Sequence, residues 1–120
     1  MKLKKKILLV EDELLIAKVL RMQLENLGYE VVNVTDANQA VDQTQQFHPD
    51  FIILDNYLKN KTSGIEAAYS IRKLGIETPI IFVTGNSFEI TSIQTKTISN
   101  SLVLSKPIIF EELINHLNTL

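Results

Sequence analysis

Short, mainly apolar runs recur along the chain, and helical patterns lie between most of them. The runs are three to five residues long and cover residues 7–10, 30–34, 51–54, 79–83 and 102–104. Runs of this length that are rich in Val, Ile and Leu are typical of strands buried on both faces of a sheet. Strands that alternate with helices indicate parallel βαβ units. The pattern therefore predicts an α/β protein.

Apolar positions in the intervals repeat every three or four residues, as on one face of a helix. They are Ile16, Leu20, Leu24 and Leu27; Ala37, Ala40, Val41, Thr44 and Phe47; Ile65, Ala68 and Ile71; and Phe110, Leu113, Ile114, Leu117 and Leu120. Asp36 is predicted to cap the second helix, Gly64 to open the third, and Gly28 and Gly75 to end the first and the third. Alternation also predicts a helix within residues 88–101, where abundant Thr, Ser and Ile favour a short, irregular or mobile one.

Length and composition exclude several classes of protein. The 120 residues predict a single domain over residues 1–120, which is long enough to bury a core. A net charge of −2 argues against direct binding of nucleic acid, and the absence of cysteine excludes disulfides and thiolate metal sites. No apolar run approaches the roughly 20 residues of a membrane span, and no signal peptide is recognisable. We therefore expect a cytoplasmic protein that does not contact the membrane.

Polar residues follow four of the predicted strands at the point where each strand ends. Glu11 and Asp12 follow the first strand, Asp55 the third, Thr84 the fourth and Lys106 the fifth. Parallel strands place their carboxyl ends at one edge of the sheet, where ligands of open α/β sheets bind. If these strands are neighbours, the five side chains converge there.

Three carboxylates at one edge repel each other, so either their pKa values rise or a cation neutralises them. Mg²⁺ is the predicted cation, because it prefers oxygen ligands and often binds together with phosphate. A carboxylate can also act as a nucleophile and form an aspartyl-phosphate. The two histidines, His48 and His116, fall at a turn and on a helix, and we expect surface residues rather than ligands there.

Four of these five site residues also have an ordinary structural explanation. Asp55 suits a helix cap or a turn, and Glu11 suits the acidic first turn of a helix. Thr84 suits the end of a strand, and Lys106 suits a solvated surface. The occurrence of all of them at strand ends favours a shared site over four separate coincidences.

Four short motifs resemble those of one family. They are Leu9-Val10-Glu11-Asp12-Glu13, Leu54-Asp55 with Gly64 downstream, Val83-Thr84-Gly85 and Ser105-Lys106-Pro107. Together they resemble the receiver domain of two-component response regulators, of the CheY-like superfamily, over nearly the whole chain. The resemblance implies a flavodoxin-like, doubly wound (βα)5 fold with a parallel sheet in the order 2-1-3-4-5. That order is the one receiver domains themselves have, and it is taken from the resemblance rather than from the sequence pattern.

The resemblance also implies a ligand set for Mg²⁺. Asp12 and Asp55 would bind the ion directly, and Glu11 would act through a water molecule. The backbone carbonyl of Tyr57 would supply a further ligand, so that the side chain at this position matters little to the metal.

By the same resemblance, Asp55 would accept a phosphoryl group from a sensor histidine kinase or a phosphotransfer protein. Thr84 would move toward that group and Lys106 would pair with it, and the bond between Lys106 and Pro107 is often cis in the family. The protein would be a signalling domain rather than an enzyme, catalysing only its own phosphorylation and slow dephosphorylation. We expect an unidentified downstream protein target and a monomer or a weak dimer.

The chain departs from the family pattern on one face. Val103 occupies the position of an aromatic residue that normally moves with the threonine, and Gly85 and Ser99-Asn100-Ser101 replace other common residues. A binding module that keeps the site without the switch is therefore an alternative. A phosphatase would need an aspartate where Tyr57 stands. A flavin or nucleotide binder would need a phosphate loop after the first strand, where three acidic residues begin at Glu11.

Overall fold

The chain forms one parallel sheet with helices on both faces. The computed structural model describes residues 4–56, 58, 63–85 and 96–120. The elements in this part of the chain are β1 (Lys6–Val10), α1 (Leu14–Asn26), β2 (Glu30–Val34), α2 (Ala37–Phe47), β3 (Phe51–Asp55), α3 (Gly64–Lys73), β4 (Ile80–Thr84), β5 (Ser101–Ser105) and α4 (Phe110–Thr119). The strand order is β2-β1-β3-β4-β5, which confirms the predicted order 2-1-3-4-5. None of the helices in the described ranges is long and apolar enough to cross a membrane.

The helix predicted within residues 88–101 falls mostly on residues 86–95, which lie outside the described part of the chain. Residues 96–100 form turns and bends that lead into β5. Ile98 in this segment is buried in the core.

Two apolar cores lie on the two faces of the sheet, because successive residues of a strand point to opposite sides. In β1, Leu8 and Val10 pack in the core beneath α2 and α3, while Ile7 and Leu9 pack beneath α1 and α4. Each fully buried side chain of this size stabilises the fold by about 1.5–3 kcal/mol. The central strands β1 and β3 are thus covered on both sides, and their ends hold fixed positions.

The buried faces of the helices agree with the predicted periodicity except at Leu120, which is 43% exposed because α4 ends at Thr119, and in α1. Ala17, Leu20 and Leu24 are its buried residues, whereas Ile16 is 41% exposed and Leu27 is 54% exposed. The prediction was wrong at Ile16 because the face that meets the sheet is centred on Ala17, about 100° farther round the helix. It was wrong at Leu27 because α1 ends at Asn26.

The predicted helix ends are confirmed by the backbone. Asp36 caps α2 by accepting a hydrogen bond from the Gln39 amide at 2.8 Å. Gly28 and Gly75 have positive φ angles of +97° and +80°, which glycine adopts without strain. These ends set the lengths of the connections and so the positions of the next strands.

Candidate functional site

Three carboxylates meet at the carboxyl edge of the sheet. Val10 of β1 pairs with Leu54 of β3, so Glu11 and Asp55 come next on neighbouring strands. Ligand oxygens of Glu11, Asp12 and Asp55 all lie within 4.8 Å of one another. We call these three residues the acidic cluster. Glu11 and Asp55 are buried, each with 4% of its surface exposed, and Asp12 is half-buried.

Lys106 brings a positive charge to this cluster. Its Nζ donates a hydrogen bond to Oδ2 of Asp55 at 3.0 Å and lies 3.9 Å from Oε1 of Glu11. The Lys106 backbone amide also donates to the Thr84 carbonyl at 2.8 Å, and this bond holds the segment that follows β5 against the end of β4. The peptide bond between Lys106 and Pro107 is cis, as the resemblance implied.

Thr84 is the last residue of β4, and its side chain is fully buried. The strand β4 lies between β3, which carries Asp55, and β5, which leads to Lys106. The structure therefore brings Glu11, Asp12, Asp55 and Lys106 together. Thr84 lies on β4, between the strand that carries Asp55 and the strand that Lys106 follows. The carbonyl of Tyr57 lies outside the described residues.

Neither histidine belongs to the acidic cluster. His48 is exposed and follows α2, just before β3 begins at the opposite edge of the sheet. His116 lies in the last turn of α4 and is half-buried. Both positions fit the prediction that the histidines are not ligands of this site.

Burial and the neighbouring charges shift two pKa values in the site. Burial raises the pKa of Glu11 from its ordinary 4.5 to about 7, and the hydrogen bond and negative charge of Asp55 add to this rise. The amide of Glu13 and the charge of Lys106 oppose it. For Lys106, burial alone lowers the pKa, but Asp55 and Glu11 together outweigh burial and raise it. The site thus holds more negative charge than one lysine balances, which favours a further cation.

The raised pKa of Glu11 predicts that the metal-free protein loses stability as the pH rises from 4.5 to about 7. In this range the folded protein retains a proton that the unfolded chain has released, so raising the pH favours unfolding. The free energy of unfolding should fall by up to about 3 kcal/mol. Denaturant unfolding at a series of pH values without divalent cations measures this fall. Glu11→Gln should lack this part of the dependence, and identical pH profiles for the two proteins would contradict the assignment.

Gly64 contributes to the site in a way that the sequence pattern did not predict. Its amide donates to the Asn56 carbonyl at 3.0 Å, and a Cβ placed on it would lie 2.5 Å from the Asp55 carbonyl oxygen. The start of α3 therefore packs directly against the backbone that carries Asp55. A glycine at the first position of a helix, with no turn that requires it, was the available signal.

An apolar groove of about 610 Å³ opens beside the acidic cluster. Glu11 and Lys106 line it, and so do the apolar side chains of Leu15, Val19 and Ile108. Leu15 and Val19 are 75% and 50% exposed. Exposed apolar patches of this kind mark surfaces that bind other proteins or ligands.

A comparison with family models identifies residues 7–118 as a response regulator receiver domain. The chain belongs to the receiver-domain family. Receiver domains are phosphoacceptor signalling domains of two-component systems and are not classical enzymes, and they bind Mg²⁺ at their acidic site. Family membership decides against the phosphatase and the nucleotide binder.

Solved structures of other receiver proteins are similar to this chain. Chemotaxis protein CheY4 of Vibrio cholerae is 26% identical, with a TM-score of 0.89 and 98% of each chain covered. The receiver domain of a sensor histidine kinase from Pseudomonas aeruginosa is 32% identical, with a TM-score of 0.84, and 98% of this chain and 97% of that chain are covered. That domain has a magnesium ion coordinated in its active-site cleft. The receiver domain of a diguanylate cyclase from Desulfovibrio desulfuricans is 31% identical, with a TM-score of 0.82 and 97% and 92% coverage.

Proposed function

We propose that Asp55 is the phosphoacceptor and that it takes its phosphoryl group from a sensor histidine kinase or a phosphotransfer protein. The observation that carries the proposal is the position of the Asp55 carboxylate, 3.0 Å from the Lys106 ammonium and within 4.8 Å of the other two carboxylates. A buried carboxylate held in this way, at the end of a central strand, is suited to act as a nucleophile toward phosphorus.

In the proposed step, an oxygen of Asp55 attacks the phosphorus atom of a phosphohistidine. The bond from phosphorus to nitrogen breaks as the bond from phosphorus to oxygen forms, and the leaving imidazole takes up a proton. Lys106 pairs with the negative charge on the transferred group, and the hydroxyl of Thr84 donates to one of its oxygens. Positioned charges of this kind supply most of the catalysis in phosphoryl transfer.

The donor set of the acidic cluster fits Mg²⁺. It offers only carboxylate oxygens, which are hard ligands, and it combines buried Glu11 and Asp55 with the more exposed Asp12. We assign Asp12 and Asp55 as direct ligands, Glu11 as a ligand through water, and the carbonyl of Tyr57 as a further ligand. When bound, Mg²⁺ would stabilise negative charge on the transferring phosphoryl group.

We propose that the donor protein docks on the apolar groove, because Glu11 and Lys106 of the acceptor site also line this groove. We propose that residues 1–120 form a single receiver domain that acts in the cytoplasm as a monomer or a weak dimer. Its output is the binding of a further protein and not of nucleic acid, in keeping with its net charge of −2.

Incubation with Mg²⁺ and acetyl phosphate tests the proposed function without the natural partner. Intact-mass spectrometry should show the addition of one phosphoryl group, and the addition should disappear when a chelator removes the Mg²⁺. Protein that gains no mass in the presence of both reagents would contradict the proposal.

One observation favours the binding module without a switch as a second candidate. Val103 packs against the core beneath α2 and α3 and pairs with Phe82 in the sheet, so no aromatic side chain stands at this place. Beryllofluoride, which mimics the phosphoryl group, separates the two candidates. A switch predicts large amide shifts on addition of this reagent from Thr84 through β5 to α4. If the shifts stay confined to the acidic cluster and its neighbours, the module without a switch is correct.

A further inference from the structure

Asn33 is an asparagine inside a β-strand, where its residue type is normally depleted. It pairs with Leu9 in the register of β1 and β2 and is half-buried. Its side-chain Nδ2 lies 2.9 Å from the carbonyl oxygen of Leu9, 3.2 Å from that of Val34 and 3.3 Å from that of Glu11. The amide group thus bridges the end of β2 and the point where β1 passes into the acidic cluster.

Hydrogen bonds orient the peptide units on both sides of Glu11. The register of β1 and β2 ends at the pair Val10 and Val34, and the Glu11 amide then donates to the Val34 carbonyl at 3.0 Å. The carbonyl of Glu11 lies beyond this last pair, where Asn33 is its donor. Because each peptide unit is planar, a bond to the N–H orients the plane before the Glu11 Cα and a bond to the C=O orients the plane after it. Together the two planes set the direction of the Cα–Cβ bond from which the Glu11 side chain extends.

The second of these planes is the peptide unit that joins Glu11 to Asp12. Its orientation therefore sets one backbone angle of each acidic residue. We propose that Asn33 is a positioning residue of the metal site: its amide holds the peptide between Glu11 and Asp12 so that both carboxylates converge with Asp55. This inference rests on the proposed function, in which the acidic cluster binds Mg²⁺.

The structure also contains a local reporter of this orientation. The amide of Glu13 donates to Oε2 of Glu11 at 3.3 Å, and this bond requires the Glu11 side chain to be in its observed position. Loss of the Asn33 contact should therefore weaken the Glu13 bond even when no metal is present.

The variant Asn33→Leu tests the inference, since leucine has a similar volume and no hydrogen to donate. Thr44→Val is its matched control: Thr44 is buried and donates from its side chain to the Ala40 carbonyl at 2.7 Å, within α2 and away from the site. Mg²⁺ titrations followed by amide spectra should give a Kd about tenfold weaker for Asn33→Leu and within about twofold of wild type for Thr44→Val. Asp12→Asn, which removes a proposed ligand, should show at least as large a loss.

Hydrogen exchange in the metal-free protein gives the second measurement. The Glu13 amide should exchange faster in Asn33→Leu than in wild type, and at the wild-type rate in Thr44→Val. A wild-type Kd in Asn33→Leu would overturn the inference, whatever the exchange rate. Wild-type protein that binds no Mg²⁺ would instead contradict the proposed function, and the Glu13 exchange rate alone would then test whether Asn33 positions Glu11. If Asn33→Leu does not fold, Asn33→Ala removes the same donor with less volume.

Discussion

Asp55→Asn should abolish phosphorylation by acetyl phosphate while the protein stays folded. An amide oxygen is a far weaker nucleophile than a carboxylate, so the chemical step is lost although the side chain keeps its shape. The substitution removes the partner of Lys106, which would destabilise an isolated buried pair. Here Glu11 lies 3.9 Å from Lys106 and remains as a partner, and the repulsion between Glu11 and Asp55 disappears. We therefore expect the free energy of unfolding to change by only about 1 kcal/mol.

Intact-mass spectrometry after incubation with Mg²⁺ and acetyl phosphate measures this loss directly. Asp42→Asn is the control, since it makes the same chemical change at an exposed position of α2. It should be phosphorylated at the wild-type rate. Modification of Asp55→Asn at that same rate would show that another residue is the acceptor, and unfolding of this variant would show that the stability argument is wrong.

Gly64→Ala should destabilise the protein by about 2 kcal/mol, although the same change in most helices is stabilising. Gly64 is the first residue of α3, where helix propensity favours alanine by up to about 1 kcal/mol. The new Cβ would lie 2.5 Å from the Asp55 carbonyl oxygen and 3.1 Å from the Asn56 Cα. Both are backbone atoms that cannot turn away, so either α3 or the chain around Asp55 must shift. A shift of Asp55 should also slow phosphorylation.

Urea unfolding of the two proteins measures the destabilisation, and the acetyl phosphate reaction measures the effect on the site. Gly85→Ala is the matched control, because a Cβ there would lie 3.5 Å from the nearest atom, a Lys106 side-chain carbon, at an ordinary contact distance. It should change the free energy of unfolding by less than about 1 kcal/mol. An increase in stability for Gly64→Ala would mean that the start of α3 is not held against Asp55.

Local patterns in the sequence were enough to predict the elements of the sheet and the residues at its carboxyl edge. An apolar run such as residues 51–54 can only be buried, and Asp55 follows it directly. Local signals also determined the helix ends at Asp36, Gly28 and Gly75, because a cap or a positive φ depends on neighbouring residues alone. These features involve short stretches of chain, which is why periodicity and residue type predict them.

The residues that support the site from other elements could not be predicted in this way, because they depend on how those elements pack. The contact of Gly64 with the Asp55 backbone and the hydrogen bond from Asn33 to the Glu11 carbonyl join residues that are 9 and 22 positions apart in the sequence. The same holds for the buried face of α1, which is centred on Ala17 rather than Ile16. Periodicity shows that a helix has an apolar face, but the strand packed against it decides which residues of that face are buried. Likewise, the 4.8 Å spacing of the acidic cluster depends on the pairing of β1 with β3, which nothing local in either strand specifies.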